Sequence, residues 1–340
     1  MGRWLFIGGG GTISGHASRA ALEAGHHVTI FSRTRSADLP VVADHIAGNR
    51  DDPAALEKAI DAVRPDVLVD FVCFQPDQAA ALVAAARGKA RHVVFVSTCD
   101  VLGYPLQQVP APDARPCTIG LGQYVLDKQA CEAVFRKAEA SSAFALTIVR
   151  PGYSLGPGFV ISLFEPQATE TINRMRHGLP VILPGDGTTK LHVSDANDTG
   201  RMVATVGGAP VAFGRAYVIG TPDSILTHAQ YMRLIALAAG ARPAFVEVPA
   251  LYLRATGFAQ MHIGLFARLT QFDIGFAMDA FQRDFPAFRW QGRILDGLLG
   301  YVARAEASGA LATPPQPGFE DEIIEGWRSA RAGAARMGAG

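Results

Sequence analysis

Arg3-Trp-Leu-Phe-Ile-Gly8-Gly9-Gly10-Gly11-Thr12-Ile13-Ser14-Gly15 runs an apolar segment into a glycine cluster and then into a helical pattern. Trp4 to Ile7 has the length of a buried parallel strand. The glycines let the backbone turn tightly and approach a pyrophosphate closely. The spacing predicts a helix over Ile13 to Ala24, whose N-terminal N–H groups and positive dipole end would face that anion. Gly25 ends it, and His27-Val-Thr-Ile-Phe31 reads as a second strand. The glycines alone would say little; set between strand and helix, with a strand after, they predict a dinucleotide site.

The end of the second strand bears on which dinucleotide. Folds that bind NAD usually carry an Asp or Glu there for the ribose 2′-hydroxyl, whereas a 2′-phosphate calls for Arg. Ser32, Arg33, Thr34 and Arg35 offer no carboxylate. Arg33 can form paired, charge-assisted bonds to a phosphate, so the expectation is NADP, with NAD as the second choice.

Beyond this stretch the strand and helix pattern repeats. Asp44 to Gly48 reads as a third strand, and Asp52 before Pro53 reads as an N-cap opening a helix over Ala54 to Val63. Asp66 to Phe71 is a fourth strand, Pro76 to Arg87 a helix and Arg91 to Ser97 a fifth strand. Strands alternating with helices at this spacing imply right-handed crossovers and an α/β fold with a doubly wound parallel sheet. Ligands of such sheets bind beyond the carboxyl ends of the strands. The segments Gly8 to Ser14, Phe71 to Phe74 and Ser97 to Asp100 fall there. Gly103 to Gly122 reads as a loop, Gln123 to Ala138 as a helix and Phe144 to Val149 as the sixth strand.

The pattern then becomes mixed. Ala168 to His177 is predicted helical, Pro180 to Leu183 a short strand, Asp195 to Val206 a helix and Arg215 to Ile219 a late strand of the main sheet. The chain divides on this reading into a dinucleotide-binding domain, 1–155 with 191–220 returning to it, and a substrate lobe from 156–190 and 221–335. The Ala- and Gly-rich end from Ala330 lacks a core pattern and is expected to fray.

Composition narrows the class. The 340 residues are 49% hydrophobic and 18% charged, with no apolar run long enough for a bilayer. The first strand starts almost at Met1, leaving no room for a signal peptide, so a cytoplasmic protein is expected. Formal net charge is +0, which gives no global basic field for nucleic acid. Cys73, Cys99, Cys117 and Cys131 show no metal-ligand spacing and read as reduced thiols.

Tyr124-Val-Leu-Asp-Lys128 places a tyrosine and a lysine four residues apart on one helical face. Tyr is a poor base at neutral pH, with an unperturbed pKa of about 10. A neighbouring ammonium lowers it, and Tyr124 could then exchange a proton with a carbinol oxygen while hydride moves to or from a nicotinamide. Thr98 would hydrogen-bond the same oxygen.

Glycine loop, Ser97-Thr98, Tyr124/Lys128, Arg150-Pro151-Gly152 and Pro184-Gly185-Asp186-Gly187, in this order, resemble the extended short-chain dehydrogenase/reductases of the epimerase/dehydratase-like group over about residues 3 to 240. The resemblance implies an enzyme that exchanges hydride with a secondary alcohol or ketone, as an epimerase or reductase of a sugar or sugar-nucleotide-like small molecule. Thr98 takes the place of the catalytic Ser/Thr, Tyr124 of the acid/base, and Lys128 of the residue that tunes Tyr and holds the nicotinamide ribose. The candidate cofactor contacts are Gly8, Gly10, Gly11, Thr12, Ile13, Ser32, Arg33, Asn49, Phe71, Cys73, Lys128 and Pro151. A homodimer is the oligomer considered. The alternatives are a ketone reductase acting on a polyketide-like metabolite, or a non-catalytic dinucleotide- or RNA-binding protein such as the chloroplast stem-loop RNA-binding members that resemble the group.

Departures from the pattern concern the substrate. Ser14 stands at the third loop glycine. Cys99-Asp100 stands where sugar-nucleotide dehydratases carry an acidic pair, which argues against water elimination. Leu191, beside Lys190, stands where epimerases carry a phosphate-binding Arg. His192, Asp195 and Asp198 could touch substrate or serve as loop and cap residues, and Arg283 and Arg289 could grip an anion or balance helix ends. An apolar set, Phe159, Phe164, Tyr252, Phe258, Met261 and Phe266, would line the lobe's face or fill its core.

Overall fold

A computed structural model of the chain describes residues 1–35, 43–113, 122–141, 143–162, 168–256 and 270–337. The strands are β1 (Arg3–Ile7), β2 (His27–Ser32), β3 (Asp44–Ala47), β4 (Val67–Asp70), β5 (His92–Val96), β6 (Ala145–Pro151), β7 (Tyr153–Leu155), β8 (Pro180–Pro184), β9 (Lys190–Asp195), β10 (Arg215–Ile219), β11 (Ile225–Thr227) and β12 (Ala244–Val248). Seven of them form one sheet in the order β3-β2-β1-β4-β5-β6-β10, every pairing parallel. The order reverses between β1 and β4, so the crevice beyond their carboxyl ends is the natural ligand position.

The central strands are apolar on both faces because helices cover both. The layer of α1 (Thr12–Glu23) and α6 (Ala196–Val206) covers one face, where Trp4, Phe6, Ala17, Ala21, Met202 and Val203 share a core. Helices α2 (Pro53–Val63), α3 (Pro76–Ala86) and α4 (Gln123–Ala140) cover the other around Leu5, Ile7, Leu56, Leu82, Phe95 and Phe135. Asp52 caps α2 as the sequence implies, accepting from the N–H groups of Ala54 and Ala55 at 3.0 and 3.3 Å. Gly200 lets α6 lie against α1, since a Cβ there would come within 2.7 Å of the Ala17 nitrogen.

Beyond β6 the chain builds a second layer of small sheets. β7 and β11 flank β9, and β8 pairs with β12. The segment from 191 therefore divides: β9 joins β7 and β11, while α6 and β10 return to the main sheet. Helices α5 (Thr169–Arg176), α7 (His228–Ala238), α8 (Ala250–Ala255), Ile294–Ala307 and Phe319–Met337 complete this side of the molecule. The short helix Asp279–Asp284 lies instead on the main sheet. There Phe281, Phe285, Phe288 and Trp290 pack with Tyr217 of β10.

The end of the chain differs from expectation. The Ala-rich segment expected to fray continues the helix to Met337, because alanine has the strongest helix propensity and needs no buried face to keep it. Arg174 of α5 anchors this helix, donating to Asp321 at 2.7 and 2.9 Å and to the Pro180 carbonyl at 2.9 and 3.1 Å. Among the described residues no helix is long and apolar enough to cross a membrane.

Candidate active site

At the carboxyl end of β1, Gly8 adopts φ 77°, and a Cβ there would lie 2.7 Å from a methyl group of Val72. The residue must be glycine on both counts. The turn opens α1 with Gly11 as N-cap, its N–H donating to the Ser14 hydroxyl at 2.8 Å, and no acidic residue stands in the first turn. Ser14, at the third loop glycine of the family, is thus a buried capping residue. An exposed helix start without carboxylates fits an anion such as a pyrophosphate.

The glycine loop forms one wall of a cavity of about 560 Å³. Gly8, Gly10, Gly11, Thr12 and Ile13 line it together with Thr98, Tyr124, Lys128 and Phe159, and Ser32, Phe71 and Pro151 line it too. A cavity of about 350 Å³ adjoins it at Gly8, Ser32, Thr34 and Phe74, and Arg33 and Asn49 line that one. Of the candidate cofactor contacts, Cys73 lines neither cavity. Its side chain is buried with Sγ 3.9 Å from that of Cys131, and only its backbone carbonyl serves the site.

That carbonyl holds Lys128. The ammonium, 2% exposed, donates to the carbonyls of Cys73 and Val96 at 2.8 and 2.9 Å. It lies over the rings of Phe74 and Phe95 at 4.9 and 5.1 Å. Burial pulls its pKa down, and the carboxylate of Asp70 works against that fall. Asp70 is itself paired with Arg50, whose Nη2 donates to it at 2.8 Å and to the Gln78 carbonyl at 3.0 Å. Arg50 also lines the smaller cavity.

Tyr124 sits one turn earlier on α4, at the cavity rim and 40% exposed. Lys128 was expected to lower its pKa. The pKa is instead raised, first by desolvation and then by the neighbouring Asp100. The reason is geometric: two backbone carbonyls hold the Lys128 ammonium, and an acidic neighbour stands behind Thr98. At neutral pH Tyr124 thus carries its proton, as an unperturbed tyrosine does.

Other sequence candidates turn out to be supports. His192 lies within hydrogen-bonding distance of the Thr221 carbonyl and the Phe276 N–H, at 2.8 and 3.1 Å. Asp195 caps α6, accepting from Asp198 N–H at 3.0 Å. The Asp198 carboxylate, wholly buried, accepts from the N–H groups of Gln291 and Gly292 and from Arg201. Asp198→Ala would strand the N–H groups of Gln291 and Gly292, while Arg201 keeps the Arg289 carbonyl, so unfolding in urea should show a loss of about 2–4 kcal/mol. A surface cap would lose about 1 kcal/mol. Arg283 pairs with Asp284, and Arg289 donates to the carbonyls of Pro286 and Phe288. Phe159 faces the large cavity, whereas Tyr252 packs on Trp327. Cys117, Phe164, Phe258, Met261 and Phe266 lie outside the described residues.

A glycine loop at the switch point of a doubly wound sheet, sharing its cavity with a threonine, a tyrosine and a lysine, defines a dinucleotide-binding protein of the short-chain dehydrogenase/reductase class. Residues 4–220 match the family model described as the NAD dependent epimerase/dehydratase family, and the chain belongs to that family. It is 31% identical over 205 residues to 2'-dehydrokanamycin reductase of Streptomyces kanamyceticus, covering 59% of this chain and 57% of that protein. The UDP-glucose 4-epimerase of Thermotoga maritima, solved with UDP-glucose, superposes with a TM-score of 0.71 at 16% identity, over 90% of this chain and 99% of that one. The dTDP-glucose 4,6-dehydratase of Streptomyces venezuelae, solved with NAD and TYD, gives 0.71 at 19% identity, over 90% and 98%. At these identities the two structures share the fold.

Proposed function

We propose that this protein is an NADP(H)-dependent reductase that converts a ketone on a sugar-like substrate to a secondary alcohol. The observation that carries the reading is that Thr98, Tyr124 and Lys128 share one cavity with the glycine loop. In this reading Gly10 to Ile13 hold the pyrophosphate, Ser32 and Arg33 the adenosine end, and Phe71 and Pro151 the walls between. Lys128 has three N–H donors, two committed to carbonyls, and the third is available for a ribose hydroxyl. The bound dinucleotide supplies the hydride. Tyr124 supplies the proton, its O–H bond breaking as the carbonyl carbon gains hydride and the oxygen becomes a hydroxyl.

Reduction rather than epimerisation is supported by the likeness to 2'-dehydrokanamycin reductase. That likeness supports 2'-dehydrokanamycin as the first probe substrate. The preference for NADP rests on Arg33 beside Ser32 and Thr34 at the smaller cavity. Calorimetric titration should show tighter binding of NADPH than of NADH, and Arg33→Ala should weaken NADPH by about 10-fold, the worth of one charge-assisted pair, with NADH unchanged. Equal affinities in the unaltered protein would overturn the preference.

A further inference from the structure

The Cys73 carbonyl that holds Lys128 belongs to a peptide unit engaged at both ends. Cys73 lies in the turn between β4 and α3. The oxygen of the unit joining it to Phe74 accepts from the Lys128 ammonium at 2.8 Å, and the nitrogen donates to Oε1 of Gln78 at 2.7 Å. The same Oε1 accepts the N–H of Gln75 at 3.1 Å. Only one orientation of the Gln78 amide serves these contacts, because its Nε2 donates to Asp51 Oδ1 at 2.6 Å and a carboxylate oxygen needs a donor. Gln78 and Asp51 both line the smaller cavity.

The two carbonyls that hold Lys128 differ in what fixes them. That of Val96 belongs to β5, inside the main sheet. That of Cys73 belongs to a turn, where one peptide unit can rotate about its flanking bonds; type I and type II turns differ by such a rotation. The unit is trans, so its C=O and N–H point in opposite directions, and a partner on the N–H sets where the oxygen faces. Gln78 is that partner. Rotated, the unit would present its N–H toward the ammonium in place of the oxygen. Hydrogen bonds running through one peptide also polarise each other, so the Gln78 contact makes the Cys73 oxygen a better acceptor.

We propose that Gln78 is a positioning residue for Lys128: by holding the Phe74 N–H it turns the Cys73 carbonyl onto the ammonium and so keeps Lys128 in its place in the cavity wall. This rests on the reductase reading, in which Lys128 meets a ribose hydroxyl, and deepens it by naming the side chain that supports the lysine. Gln78 acts only through the 73–74 peptide. The turn has its other holds elsewhere: Phe71 N–H donates to the Ile7 carbonyl at 3.1 Å, and Val72 N–H to Asp70 Oδ1 at 2.9 Å. Loss of Gln78 therefore loosens the one peptide that faces Lys128 and leaves the start of the turn attached to the sheet.

The test is trace acetylation with acetic anhydride, read at each lysine by peptide mass mapping, with the exposed Lys137 of the same helix as internal reference. An ammonium donating to two carbonyls is no nucleophile, so Lys128 reacts only in molecules where it has come loose. Gln78→Met keeps the length of the side chain and drops the acceptor. Lys128 should then be acetylated about 5- to 10-fold faster relative to Lys137, the worth of one lost hydrogen bond. Gln78→Ala, a second replacement in case the thioether packs badly, should do the same. Gln78→Glu combined with Asp51→Asn puts a carboxylate acceptor under the Phe74 N–H and an amide donor opposite it, and should return the rate to that of the unaltered protein. Asp198→Ala, destabilised at a distance, should leave the ratio unchanged, which separates positioning from general loss of stability. A Lys128 rate unmoved in both single variants, not restored in the double variant, or raised as far by Asp198→Ala would overturn the proposal. The labelling contains neither dinucleotide nor ketone, so its outcome and that of the reductase reading are read separately.

Discussion

Tyr124→Phe is expected to lower turnover by about 10²–10⁴-fold, the usual worth of a positioned proton donor, with little change in NADPH affinity. The substitution removes one oxygen at the cavity rim and leaves the glycine loop and Lys128 in place. The nearby phenols of Tyr104 and Tyr153 cannot replace it, because both hydroxyls are committed to Asp100. Steady-state rates at saturating NADPH, with calorimetry for affinity, separate the two effects. Loss of affinity in step with turnover would make Tyr124 a binding residue.

Lys128→Met should be the more damaging change, since it acts on stability, affinity and rate together. The ammonium satisfies the buried carbonyls of Cys73 and Val96 between two aromatic rings. A thioether satisfies neither, and each unpaired carbonyl costs about 1–3 kcal/mol. Urea unfolding should therefore show a loss of at least about 2 kcal/mol, and calorimetry should show weakened NADPH. Unchanged stability would mean that the carbonyl bonds are incidental and that Lys128 serves the dinucleotide alone.

The doubly wound sheet was legible because its central strands were apolar runs bounded by turn residues, and the glycine loop fixed where the first ended. The Asp52 cap was legible for the same local reason. What escaped depends on contacts between distant residues. Asp100 was visible as the remnant of a missing acidic pair, yet Tyr153, which holds it, lies 53 residues away. The restraint on Lys128 comes from backbone carbonyls, which no side-chain motif displays. β9 is buried along most of its length, and such a run does not announce which sheet it joins. The aromatic cluster of Phe281, Phe285, Phe288 and Trp290 reads equally as lobe or sheet packing until Tyr217 is placed beneath it.

The most direct test of the account is the stoichiometry of NADPH consumption with 2'-dehydrokanamycin as the probe, followed by the nicotinamide absorbance. The account predicts one NADPH oxidised for each ketone reduced, and a rate in Tyr124→Phe lower by about 10²-fold or more. Consumption by the unaltered protein no faster than by Tyr124→Phe, or sugar turned over with no net loss of NADPH, would contradict it.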